Sequence, residues 1–109
     1  MKKTRGYVYL LSDTLNESVY KIGVTKSTIE KRIKQLQTGN PGEIHIRAYF
    51  ETDYPYFIEK RLHRRFFENE VHGEWYDIPL ETVSRFDEIC REEEMMAESL
   101  KDNPFVKLR

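Results

Sequence analysis

The chain reads as an α+β domain, a small three-stranded antiparallel-type sheet flanked by helices in the order β-β-α-β-α-α. Three observations predict it. Apolar and polar residues alternate over residues 19–25 and 44–50, the period of a half-buried strand. Apolar residues recur every three or four positions over 29–36, 58–66 and 80–90, the period of an amphipathic helix. Clusters of Ser, Asp, Asn, Gly and Pro separate these runs.

Gly6 to Leu11 is aromatic and β-branched enough to form the first strand, and the polar stretch Ser12 to Ser18 turns the chain. Val19 to Thr25 returns antiparallel, with Val19, Lys21, Gly23 and Thr25 on one face and Tyr20, Ile22 and Val24 on the other. Ser27 reads as a helix N-cap, with Glu30 at capping-box spacing. Ile29, Ile33 and Leu36 form the buried stripe of that helix, and Gly39-Asn40-Pro41-Gly42 ends it. In the third strand Ile44, Ile46, Ala48 and Phe50 share one face, alternating with His45, Arg47 and Tyr49. Asp53 is placed to cap a second helix with the apolar line Ile58, Leu62 and Phe66, and Gly73 lies in the connection after it. Asp77 and Pro79 open a third helix over about 79–100, with the stripe Leu80, Val83, Phe86 and Cys90. Glu92-Glu93-Glu94 then turns that helix toward solvent. The whole forms one domain over residues 1–103, with its core over about 5–80 and a loose tail over 104–109.

Cys90 is the single cysteine, so no internal disulfide can form. No CxxC pair is present, and no apolar run approaches the roughly 18 residues of a membrane span. No secretory apolar region follows the basic N-terminus, because Ser12-Asp13 stops the run from Gly6 to Leu11. A cytoplasmic protein without a membrane partner is expected. The net charge of −1 hides an asymmetry. Residues 1–76 hold 13 Lys and Arg against 10 Asp and Glu, whereas residues 77–109 hold 5 against 9. The basic surplus gathers at Lys26, Lys31, Arg32 and Lys34, then at Lys60, Arg61, Arg64 and Arg65. Such clusters suit a phosphate backbone, whose affinity is largely counterion release, although each alone also fits a solvated helix face.

The motifs sharpen this. Gly6-Tyr7-Val8-Tyr9-Leu10-Leu11 is followed by Tyr20-Lys21-Ile22-Gly23-Val24-Thr25, then Lys31-Arg32 and Gln37-Thr38-Gly39-Asn40-Pro41. Glu59-Lys60-Arg61-Leu62-His63 and Gly73-Glu74-Trp75-Tyr76 complete the string. Over roughly residues 5–80 it resembles the GIY-YIG nuclease superfamily. Within that superfamily it is similar to the branch of phage-type DNA-binding domains and a meiotically up-regulated yeast family. The resemblance implies a catalytic set. Tyr9 stands at the GIY tyrosine that helps activate water, and Lys21 stands where the YIG tyrosine is usual. Arg32 stands at the helix arginine that stabilises the scissile phosphate, and Glu59 at the glutamate that binds one divalent metal, Mg²⁺ or Mn²⁺. Two departures stand out: Lys21 itself, and Leu36, four residues after Arg32, where several family nucleases carry histidine.

Elementary chemistry agrees with this assignment. Arg32 offers a permanently charged fork for phosphate. A hard Mg²⁺ needs only one or two carboxylates, its remaining ligands being water and substrate oxygens. A tyrosine is a poor base unless a cation such as Lys21 lowers its pKa, and a desolvated Lys21 is the alternative base. Glu59 and His63 share a helical face at i, i+4, so His63 is a possible second metal ligand or simply a hydrogen-bonded neighbour. Tyr7, Lys26, Lys31, Lys34, Lys60 and Arg64 are the expected DNA-binding residues. Tyr7 and Tyr9 equally fit cross-strand packing, and Trp75 fits a packing anchor at the domain edge. The expected function is a DNA-binding, metal-dependent endonuclease domain. The alternative is a catalytically inactive DNA-binding module of the same fold. A structural or protein-binding domain is favoured only by the acidic C-terminal helix.

Overall fold

Residues 3–101 are described by the computed structural model, and the tail over 104–109 lies outside them. In chain order they form β1 (Gly6–Asp13), β2 (Asn16–Thr25), α1 (Ile29–Gln37), β3 (Ile44–Thr52), α2 (Pro55–Arg65), β4 (Glu70–His72), β5 (Trp75–Asp77), α3 (Leu80–Val83) and α4 (Phe86–Lys101). A 3-10 turn over Phe67–Asn69 links α2 to β4. The class is α+β, as expected, but the sheet has five strands rather than three. Their order is β3-β1-β2-β5-β4, with every neighbouring pair antiparallel. The two unexpected strands are three residues each, too short for a period to show. They form a hairpin turned at Gly73, whose φ of 54° is a left-handed conformation that glycine adopts without steric penalty.

Side chains on the two faces of β1 enter two separate cores. Val8 and Leu10 pack with Tyr20, Ile22 and Phe50 against Ile58 and Leu62 of α2 and Phe86, Ile89 and Cys90 of α4. Tyr9 and Leu11 pack with Ile44 against Ile29 of α1, with Ile33, Leu36, Ile46 and Trp75 partly buried around them. The sheet is therefore a middle layer, with α1 on one side and α2 and α4 on the other. No helix among the described residues is long and apolar enough to cross a membrane.

Strand β3 departs from simple alternation. Leu10 pairs with Ala48 and Leu11 with Ile46, so Arg47 is an extra residue in a β-bulge. The bulge reverses the faces, sending Ile44 and Ile46 to the α1 side and Ala48 and Phe50 to the α2/α4 side. The single apolar face expected for this strand is thus split between two cores. Arg47 anchors the bulge by donating from Nε to Ser12 Oγ at 2.7 Å.

Helix ends also differ from expectation. Thr28, not Ser27, caps α1, its Oγ1 accepting from the Lys31 N–H at 3.2 Å. Ser27 is held instead by Thr25, whose Oγ1 accepts from the Ser27 N–H at 3.1 Å. Asp53 does not cap α2: Tyr54 holds the N-cap position, and the Asp53 carboxylate accepts from Arg5 Nη1 at 3.1 Å. Thr52 Oγ1 accepts the Tyr54 N–H there at 3.1 Å. The third helix breaks at Ser84 and Arg85 into α3 and α4, and Asp77 closes β5 rather than capping a helix. The break leaves Leu80 exposed instead of in the core stripe.

Within the acidic stretch of α4, Glu92 stays exposed as expected, Glu94 is half-buried, and Glu93 turns inward against expectation. Glu93 is only 8% exposed, and its carboxylate accepts from Arg61 Nε of α2 at 2.7 Å. Arg65 adds contacts of 3.9 Å to Glu93 and 3.5 Å to Glu92, and Thr52 Oγ1 donates to Glu94 at 2.8 Å. A carboxylate so desolvated persists because a guanidinium and hydrogen bonds compensate it. Replacing Glu93 or Arg61 by alanine is expected to destabilise the fold by about 1–2 kcal/mol each. A double-mutant cycle followed by urea unfolding should give a coupling of about 1 kcal/mol, and additive losses would show that the pair contributes nothing.

Candidate functional site

The site starts from a close approach in the central hairpin. Tyr9 on β1 pairs directly with Gly23 on β2, and its side chain is almost fully buried. A Cβ at position 23 would overlap the Tyr9 ring and hydroxyl, so the phenol occupies the space a side chain would take. The Thr28 cap fixes the first turn of α1 and places Arg32 one turn inside it. Arg32 Nε donates to the Tyr9 hydroxyl oxygen at 3.2 Å, and Nη1 donates to Gln35 Oε1 at 3.3 Å. Tyr9 and Arg32 are thus brought together, with the tyrosine oxygen as acceptor and its own proton free to be donated elsewhere.

Burial pushes the Tyr9 phenol above its usual pKa of 10, and this outweighs the downward pull of the Arg32 hydrogen bond and charge. Glu74 and Glu59 push it further up. The cation acting on Tyr9 is therefore Arg32 and not Lys21. The register explains why, since Lys21 pairs with Leu11 and sits two residue pairs along the same face. Lys21 Nζ lies 3.7 Å from the Glu74 carboxylate at the edge where β5 begins.

Glu59 and His63 arrive from α2, which packs on the opposite side of the sheet. They reach the site because β5 pairs with β2 only as far as Lys21. Beyond that point the β2 edge is taken up differently: the Ile22 N–H donates to the Glu74 carbonyl at 3.1 Å. The Ile22 carbonyl faces His63 Nε2 at 3.3 Å. His63 lies edge-on to Tyr76, with ring centroids 5.4 Å apart, and its Nε2 is 3.9 Å from the Glu59 carboxylate. Burial holds the Glu59 carboxyl above its ordinary value of 4.5. His63 pulls it down, Glu74 raises it, and Lys21 and Arg32 pull it down in turn. Groups from β1, β2, α1 and α2 and the turn before β5 thus share one electrostatic neighbourhood.

Among the described residues no group of three or more His, Cys, Asp or Glu is arranged to hold a metal. A hard cation needs only one or two carboxylates besides water and substrate oxygens, and Glu59 is the half-buried carboxylate that could supply one. His63 Nε2 already faces the Ile22 carbonyl and Glu59.

The expected DNA-binding residues fall into two groups. Lys26, Lys31 and Lys34 are exposed at the end of β2 and on α1, and Lys60 and Arg64 are exposed on α2. Tyr7 is half-buried and packs edge-on to Tyr49, with centroids 6.0 Å apart. Arg61 and Arg65 leave the basic cluster to pair with α4. Glu74 is the site residue to which sequence reasoning assigned no role, although Gly73-Glu74-Trp75 was part of the motif string. Trp75 is half-buried against the α1 core, as an edge anchor should be.

Gly23→Ala should therefore displace the Tyr9 ring and lower stability by about 1–3 kcal/mol in urea unfolding. The loss should shrink in a Tyr9→Ala background, where the overlapping ring is gone. An undiminished loss there would place the clash elsewhere.

Residues 6–92 match the T5orf172 domain family. No curated protein and no solved structure matches the chain. The matched span begins at the first residue of β1 and takes in both sides of the Tyr9–Arg32–Glu59 cluster. The chain belongs to the T5orf172 domain family.

Proposed function

We propose that this domain is a DNA-binding, GIY-YIG-like endonuclease that hydrolyses phosphodiesters with one divalent metal. The observation that carries the reading is the Arg32–Tyr9 hydrogen bond over Gly23, with the half-buried Glu59 within electrostatic reach of both. Family membership supports a nuclease-like or DNA-binding module.

Each residue has a role consistent with its surroundings. Arg32 spends two of its five N–H donors on Tyr9 and Gln35, leaving three for phosphate oxygens. It is thus preoriented for the negative charge that grows in the transition state. Tyr9, a protonated phenol at neutral pH, orients the attacking water and takes its proton only as pH rises. When that proton leaves, Arg32 lies against the phenolate. Glu59 would hold Mg²⁺ or Mn²⁺, which when bound supplies a Lewis acid for the phosphate and lowers the pKa of coordinated water. Lys21, paired with Glu74, adds positive charge two residue pairs away on the same face. Lys26, Lys31 and Lys34 would carry the flanking DNA backbone.

A second reading, a DNA-binding module without turnover, has one observation in its favour. Lys21 occupies the second tyrosine's position and is tied to Glu74 at 3.7 Å. Plasmid nicking with Mg²⁺ or Mn²⁺ separates the two. The wild type should nick, whereas Arg32→Ala and Glu59→Gln should lose about 10²-fold or more while still binding DNA. Wild-type binding without nicking in either metal would establish the inactive module. The nicking rate should also rise between pH 6 and 9, because the Tyr9 pKa is displaced upward, and Tyr9→Phe should flatten that rise.

Glu59 yields a test independent of turnover. Its folded-state pKa is raised, so its contribution to stability is present at low pH and lost as pH climbs through the raised value. Glu59→Gln should therefore raise the Tm by about 2–4 °C at pH 7. The gain should vanish as pH falls to about 4.5, the ordinary value of the group. A lower Tm at pH 7 would mean that the charge is stabilising where it stands.

A further inference from the structure

The C-terminal half of α2, the 3-10 turn and the β4–β5 hairpin enclose an open groove of about 410 Å³. Lys60, His63, Arg64, Phe67, Glu70 and Tyr76 line it. Three features are unusual together. Phe67 is 68% exposed, a large aromatic face with no packing role in either core. Arg64 is exposed and forms no ion pair with another described residue, while its neighbours Arg61 and Arg65 are neutralised by α4. Glu70 adds an exposed acceptor on the hairpin wall. His63 belongs both to this groove and to the Glu59 neighbourhood, so the two are continuous along one face of α2.

We propose that this groove holds one unpaired nucleotide beside the strand bound at Arg32, with its base stacked on Phe67. This rests on the DNA-binding reading given above and names the form of DNA preferred. Lys60 and Arg64 supply the cations for its phosphate, and the exposed ring supplies a stacking platform. Inside a duplex both faces of a base are covered by its neighbours, so only an unstacked base can use Phe67. Glu70 accepts only, and therefore suits a base carrying an exocyclic amino group, such as cytosine or adenine, over thymine.

The test is equilibrium binding by fluorescence anisotropy in EDTA, so that no cleavage is needed. Fluorescein-labelled blunt duplex is compared with the same duplex bearing a short single-stranded cytidine or thymidine extension. The wild type should bind the cytidine-extended duplex more tightly than the thymidine-extended one, and both more tightly than the blunt duplex. Phe67→Ala should weaken extended-duplex binding by about tenfold and leave blunt-duplex binding within about twofold. Because Phe67 is exposed, that variant should unfold at the wild-type temperature. A 2-aminopurine in the extension should be quenched on binding to the wild type and not to Phe67→Ala. Glu70→Gln should remove the preference for cytidine over thymidine. Equal binding of blunt and extended duplexes, or indifference to Phe67→Ala, overturns the groove proposal while leaving the nuclease reading intact. If the wild type binds none of the DNAs, the DNA-binding reading falls and the groove proposal falls with it.

Discussion

The site depends on a missing side chain. Gly23 leaves a space on β2 that the Tyr9 phenol fills, and only there can its oxygen meet Arg32 Nε at 3.2 Å. The hairpin register that pairs Tyr9 with Gly23 also sets Lys21 opposite Leu11 and draws it to Glu74. A slip of one residue would send Lys21 and Gly23 to the other core, because strand side chains alternate strictly. Two buried faces guard against that slip, since β1 packs Val8 and Leu10 on one side and Tyr9 and Leu11 on the other.

The short β5 matters as much. By ending its pairing at Lys21 it leaves the Ile22 carbonyl to His63 and lets Glu59 approach from the far side of the sheet. Desolvation there raises the carboxyl's pKa, so folding works against the charge that metal binding would need. Such a conflict between stability and a charged, half-buried group is common where a protein holds chemistry in readiness. Cys90 is the contrasting case: burial pushes its thiol far up and leaves it an inert filler of the α2/α4 core.

Charge is sorted by packing rather than by sequence neighbourhood. The run Lys60-Arg61-Leu62-His63-Arg64-Arg65 winds around α2 and is divided between faces. Arg61 and Arg65 turn to the acidic face of α4, His63 turns to β2, and Lys60 and Arg64 remain at the surface groove. The acidic C-terminal helix thus neutralises half of the basic cluster and fastens α2 beneath the sheet.

The sequence by itself determined the class, the first five regular elements, and the side-chain parity that puts Lys21 and Gly23 on one face. Those follow because period and turn chemistry are local properties that short windows record, whereas Tyr9, Arg32 and Glu59 were singled out only through the resemblance carried by the motif string. Only the tertiary structure decided that Arg32 rather than Lys21 faces Tyr9, since that requires the register between strands. Only it revealed the Arg47 bulge, which flips half of β3 between cores without disturbing the alternation that predicted a strand. The β4–β5 hairpin escaped because three residues are less than two periods of a strand. Glu74 gained a role, and Glu93 lost its solvent-facing one, through partners distant in sequence: Lys21, Arg61 and Arg65. A charged residue's role is settled by what packing brings against it, and no window along the chain contains that information.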